Sequence, residues 1–240
     1  MHNVGLYGKL PTHGDFIQRN LPSGFISEWD AWLQHYVAGA KEKIGADWLD
    51  IYLTSPIWRF VFSHGVIDES HWAGILMPSV DQVGRYYPFT VAMRLPDYIN
   101  PLEFISLQTA WYNEIEELAL SALDGDYLLD DLMDEIASID LNIDSSYIPR
   151  SALQDSYAMQ IELEFEEQSV SSVYSHFLDA LMVKLLRSYS AWATIGSERV
   201  APCLFSVQNL PSVAKLPAML DGNWRQWGWQ QPYALQVTEA

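Results

Sequence analysis

The chain is short of basic residues. Lys and Arg total 13 against 31 Asp and Glu, a formal net charge of −18 over 240 residues. Nucleic acids and anionic lipid surfaces are held by Lys and Arg against phosphate, so neither is expected as a partner. Cysteine is nearly absent. Cys203 stands alone, which excludes an internal disulfide. No apolar run approaches the roughly 18 residues of a membrane span. The opening MHNVGLYGKL lacks the basic start and apolar stretch of a signal peptide. Catalytic motifs are scarce too. No G-x-S-x-G elbow occurs, and the lone cysteine has no activating neighbours in sequence. The GK of Gly8-Lys9 is not a phosphate loop: Asn3 stands where a Walker loop needs glycine, and Leu10 where it needs Ser or Thr. Pro11 also disfavours helical geometry at Leu10. No repeat or low-complexity linker divides the chain. A cytoplasmic, globular protein is expected, with residues 1–240 as one domain and no cofactor or metal.

What is abundant is apolar and aromatic. The apolar fraction is 49%, with 10 tryptophans and 13 tyrosines, and such rings bury large areas. Val4 to Tyr7 reads as a strand. Phe25, Trp29, Trp32, Leu33, Tyr36, Val37, Ala40 and Ile44 recur at helical spacing after Ser23, a candidate N-cap. Trp29, Trp32 and Tyr36 are expected in the core. A short helix follows over 46–52. Residues 57–63, 73–79 and 89–95 are apolar runs bounded by turns, hence strands. Asn100, Pro101 and Glu103 supply an N-cap, a first-turn proline and a capping-box acid for a helix carrying Ile105, Trp111, Tyr112, Ile115, Leu118 and Ala122 inward. Another helix is predicted over 126–138 and a long one over 170–189. YAMQIELEFE (157–166) alternates strictly, as a half-buried strand with an acidic outer face does. SAWATIG and PCLFSVQNL are further strands, and a short helix over 213–220 is stopped by Gly222. Alternating helices and strands favour an α/β domain.

Three patches gather polar residues in turn-like settings. The first holds Lys9, His13, Asp15 and Arg19. The second, PSVDQVGRYYPF, holds Asp81 and Arg85 around Gly84. The third holds Thr194, Ser197 and Arg199 near Gly196. One reading makes them structural: Asp15 or Asp81 pairs with Arg19 or Arg85 and locks two loops together, since the planar guanidinium matches a carboxylate. The other is hydrolase-like: His13 is a general base oriented by Asp15 or Asp81. A metal held by His13, Asp15, His64 and His71 matches no established spacing.

The negative charge is concentrated. Residues 114–167 carry 16 acids and one base, Arg150, whereas residues 168–240 carry four acids and five bases. The central segment is either a solvated acidic face or an electrostatic docking surface for a basic partner. Its candidates are Asp130, Asp131, Asp134 and Glu135 on a helix, and Glu162, Glu164 and Glu166 on the alternating strand.

Four successive stretches, GLYGKLPTHGDFIQRNLP, FISEWDAWLQ, WAGILMPSVDQVGRYYPF and SAWATIG, resemble the signatures of the TagF family of type VI secretion-associated proteins. The resemblance continues more loosely through QNLPSVAKLPAMLDGNW and so covers most of the chain. It implies a three-layer α/β/α sandwich with a mixed sheet. It also implies a non-enzymatic, post-translational repressor of type VI secretion in the Gram-negative cytoplasm, acting on the forkhead-associated scaffold protein, Fha. A structural subunit of the apparatus is a further reading. Ala193, Tyr87 and Phe89 depart from the family pattern in ways that bear on local packing.

Overall fold

In the computed structural model, which describes residues 4–125, 128–141, 147–151, 158–163, 170–233 and 235, the centre is a seven-stranded sheet. Its strands are β1 (Val4–Gly8), β2 (Ile17–Arg19), β3 (Trp58–Phe62), β4 (His71–Met77), β5 (Phe89–Leu95), β6 (Tyr189–Thr194) and β7 (Cys203–Gln208). Their order is β2-β1-β5-β4-β3-β6-β7. Every pairing is antiparallel, so the expected mixed sheet is corrected. For the β3–β4 and β4–β5 pairs the reason lies in the connections. Loops 63–70 and 78–88 return the chain directly to the neighbouring strand, whereas a parallel neighbour needs a crossover of a dozen or more residues.

Alternation along the strands feeds two cores. Trp58, Phe60 and Phe62 face one, where they meet α1 (Ser23–Ile44), α2 (Trp48–Leu53) and α7 (Ala218–Asp221). Val61, Ile75, Val91 and Met93 face the other, where they meet α3 (Pro101–Leu107), α4 (Thr109–Leu123), α5 (Leu129–Ser138) and α6 (Tyr174–Leu186). The first core is built of rings. Trp29 is fully buried and lies 4.9 Å from Trp32, 5.4 Å from Phe60 and 6.2 Å from Trp192 between centroids. Its indole N–H donates to Thr90 Oγ1 at 3.0 Å, which meets the one polar demand of the ring. Tyr36 is buried as well.

Several helix boundaries differ from expectation. Ser23 is the first helical residue of α1, and its side chain caps nothing. Asn100 does cap α3, accepting from Leu102 N and Glu103 N. The helix it opens stops at Gln108 and restarts as α4. Ser106 Oγ bonds back to Leu102 O at 2.7 Å, a contact that bends helices. The predicted 126–138 helix begins at Leu129, and Leu128 is an exposed N-cap. The predicted 170–189 helix opens as a 3-10 turn (Val170–Val173) and ends at Leu186. Arg187 then turns to a positive φ of 69°, which frees Tyr189 to enter β6. The last helix is one turn, closed by Gly222 in the left-handed conformation.

The alternating segment is a correction. Residues 158–163 form no strand, and Tyr157 and residues 164–166 lie outside the described residues. Alternation makes a strand only where a ladder partner is available, and the edges of this sheet are β2 and β7.

Candidate functional site

The two polar loops meet at one carboxylate. Gly8 ends β1 at φ 131°, and a Cβ there would lie 2.1 Å from Pro88 O, so only glycine lets the strand pass this close. Lys9 follows with its side chain turned inward, and its ammonium donates to Asp81 Oδ2 at 2.8 Å. Arg85 Nε donates to the same oxygen at 2.6 Å. The other oxygen, Oδ1, accepts Val83 N at 3.1 Å and Arg85 N at 2.8 Å, which winds the second loop around Asp81. The carboxylate thus takes four donors, and its side chain is 0% exposed. Burial alone would raise the Asp81 carboxyl, but the Lys9 hydrogen bond, the Arg85 N–H and the Arg85 guanidinium together hold it well below the usual carboxylate range.

Backbone straps complete the clasp. Gln82 N donates to His13 O at 3.0 Å, and Arg85 Nη2 donates to Gly14 O at 2.5 Å. Ser79 Oγ donates to Lys9 O at 2.6 Å, and Tyr52 of α2 holds both Ser79 N and Ser79 O. Phe16, 45% exposed, lies over the Lys9 ammonium at 4.9 Å and against Tyr87 at 4.9 Å. Beneath it the hydroxyls of Tyr7 and Tyr87 both donate to Asp30 Oδ1 of α1, at 2.5 and 2.6 Å. Burial and the neighbouring Asp30 carboxylate push both phenols up.

The expected acid–arginine lock is therefore realised only in part. Asp81 and Arg85 pair, but within one loop, and the cross-loop charge partner is Lys9. Asp15 accepts from Phe16 N instead, and Arg19 Nη1 donates to Gln18 O. The His13 ring contacts Thr12 Oγ1 at 2.9 Å. Among the described residues no carboxylate lies within ion-pair distance of His13. Asp81, saturated by donors, has no oxygen to spare for orienting an imidazole. Tyr7, Asp30, Tyr52, Ser79 and Tyr87 were not legible as site residues: Asp30 lies on the α1 stripe's polar side, and its tyrosine partners come from two separate segments, β1 and the 78–88 loop.

The third patch closes on itself. Thr194 Oγ1 accepts from Gly196 N, and Ser197 N donates to Val200 O at 2.8 Å. Arg199 reaches across to pair with Asp50 of α2. His64 and His71 pack ring on ring at 3.8 Å, and among the described residues no three metal-ligating side chains gather. Of the acidic candidates, Asp130, Asp131, Asp134 and Glu135 are exposed on α5 while Leu129, Leu132 and Ile136 are buried. Glu162 is exposed, and Glu164 and Glu166 lie outside the described residues. Beside the clasp, an apolar cavity of about 270 Å³ opens between Pro11, Pro78, Val80 and the α4 residues Leu120 and Leu123.

The family comparison covers this region. Residues 5–139 match the profile of the TagF N-terminal domain, type VI secretion system-associated. The chain belongs to the TagF family. Both clasp loops, α1 and the acidic α5 lie inside the matched stretch. Among solved structures, PA0076 from Pseudomonas aeruginosa PAO1 is 32% identical, with a TM-score of 0.75, over 98% of this chain and 100% of that one. The likeness therefore continues past the TagF N-terminal match into α6, β6 and β7. No curated protein matches the sequence. No helix among the described residues is long and apolar enough to cross a membrane.

Proposed function

We propose that this TagF-family chain is a cytoplasmic, non-enzymatic repressor of type VI secretion that acts by binding the forkhead-associated scaffold protein. Family membership supports the association with type VI secretion. The observation that carries the binding reading is the division of labour on α5. Its apolar residues are spent on the core, and Asp130, Asp131, Asp134 and Glu135 are left together in solvent. Exposed charge of one sign acts mainly by steering association with an oppositely charged partner. The whole chain acts as a single three-layer α/β/α unit in this reading, since helices cover both faces of the sheet.

The test is binding kinetics with the purified scaffold protein across a salt series. The on-rate should fall as salt rises, because exposed charges are screened over about 8 Å at physiological ionic strength. Replacing Asp130, Asp131, Asp134 and Glu135 by their amides should lower the on-rate at low salt and leave the melting temperature near wild type. In cells, deleting the gene should raise secretion without raising transcript levels. An absence of measurable binding sinks the partner assignment. Binding indifferent to both salt and the amide variant moves the interface to the clasp loops and the apolar cavity beside them.

A further inference from the structure

The two edges of the sheet are built differently. β2 is three residues long and carries Arg19, so it is short and charged, two devices that stop a sheet from pairing further. β7 has neither. It is six residues, CLFSVQ, without a charge or a proline, and Pro202 stands just outside it, where the ladder is left intact. Its inner edge pairs with β6 from Tyr189↔Gln208 to Thr194↔Cys203. Its outer edge makes no backbone hydrogen bond to any described residue. Leu204 is 68% exposed on it. Gln208 Nε2 donates to Leu186 O at 3.0 Å, which sets the end of α6, with its exposed Leu185, beside the strand.

We infer that β7 pairs antiparallel with β7 of a second copy of this chain, joining the two sheets edge to edge. Charge selects this edge. Two copies at −18 each repel, yet residues 168–240 hold five bases against four acids and β7 itself is neutral. The acidic α5 packs over β1, at the opposite end of the sheet. Meeting at β7 keeps the two acidic faces apart and leaves both free. The pattern is also self-complementary. A two-fold axis at Phe205 or at Ser206 places Leu204, Ser206 and Gln208 of both copies on one face, and Cys203, Phe205 and Val207 on the other.

Sedimentation velocity and light scattering on the full chain, over about 1–100 μM where a small interface is partly assembled, test the pairing. The wild type should pass from monomer to dimer. Amide exchange at 203–208 should slow as concentration rises. Leu204→Lys sits on a solvated position, so its far-ultraviolet spectrum and melting temperature should match wild type. Its dimer should be weaker by at least about tenfold, because the change brings like charges to a paired edge. A chain that stays monomeric over the whole range overturns the inference. So does a dimer that survives Leu204→Lys with β7 amides exchanging at one rate at every concentration.

Discussion

Removing Glu116 should be among the most damaging single changes available on α4. Arg59 is on β3, and strand alternation turns it away from the tryptophan core toward α4. There its Nε donates to Glu116 Oε1 at 2.6 Å, and its Nη2 donates to Glu116 Oε2 at 2.9 Å and to Asn113 Oδ1 at 2.6 Å. The Tyr112 ring covers the guanidinium at 5.4 Å. The two side chains are 9% and 10% exposed. Glu116→Leu would leave a guanidinium in this site with Asn113 as its remaining described acceptor. Breaking one side of a buried pair costs about 3–5 kcal/mol. At roughly 2–4 °C per kcal/mol for a chain of this size, the melting temperature should fall by about 6–20 °C. The double variant Arg59→Met/Glu116→Leu removes both charges and should recover most of that loss, because Asn113 is exposed and water can replace its partner. Thermal and denaturant unfolding of the four proteins give the coupling energy directly. If Glu116→Leu costs under about 1 kcal/mol, the pair behaves as a screened surface contact and the burial argument fails. Additive losses in the double variant would refute the coupling instead.

The clasp makes a related claim about Asp81. Asp81→Asn should lower the melting temperature and speed amide exchange in both loops together, 9–16 and 79–86, whereas an unchanged melting temperature would show that the loops stand without it. Trp29→Ala should cost roughly 3–5 kcal/mol by denaturant titration, given complete burial among rings; a loss under about 1 kcal/mol would mean the aromatic core closes around the gap. Stability should also depend on pH through His71. Burial first, then the His64 ring, push its imidazole down from 6.5 to about 4, against the smaller pull of Asp97 and the Phe62 carbonyl. The unfolded chain then binds the proton more readily, so stability is full above about 6.5 and is lost as pH falls toward 4, by about 3 kcal/mol. His71→Phe should flatten that slope, and an unaltered slope would assign it to other groups.

The elements that could be read from sequence are those whose pattern needs no distant partner. The α1 stripe, the Asn100-Pro101 start and the runs that became β3, β4 and β5 each carry their own signal. The failures share a cause. YAMQIELEFE alternates as a strand should, but residues 158–163 have no ladder to join. The 170–189 stripe repeats at helical spacing through Tyr189, yet Arg187 adopts a positive φ that ends the helix, and Tyr189 enters the sheet. In both places local periodicity was real and the tertiary partner decided the outcome.

The candidate site shows the same division. That the loops around Lys9 and Asp81 belong together was legible, because each concentrates charge between turn residues. Which charges meet was not. A carboxylate in water-facing loops would be expected to take the planar fork of an arginine from the facing loop. The deciding quantity is burial. Asp81 is buried within its loop, and Lys9 is the residue that β1 delivers beside it, immediately after the close approach at Gly8. Arg19 leaves the sheet on β2, at the outer edge, and remains in solvent. A lysine usually avoids such burial, but here its ammonium meets a carboxylate at 2.8 Å and an aromatic face at 4.9 Å, which together replace much of its hydration. The choice of Lys9 over Arg19 follows from strand geometry, one residue past Gly8, and so from a feature that sequence spacing alone does not expose.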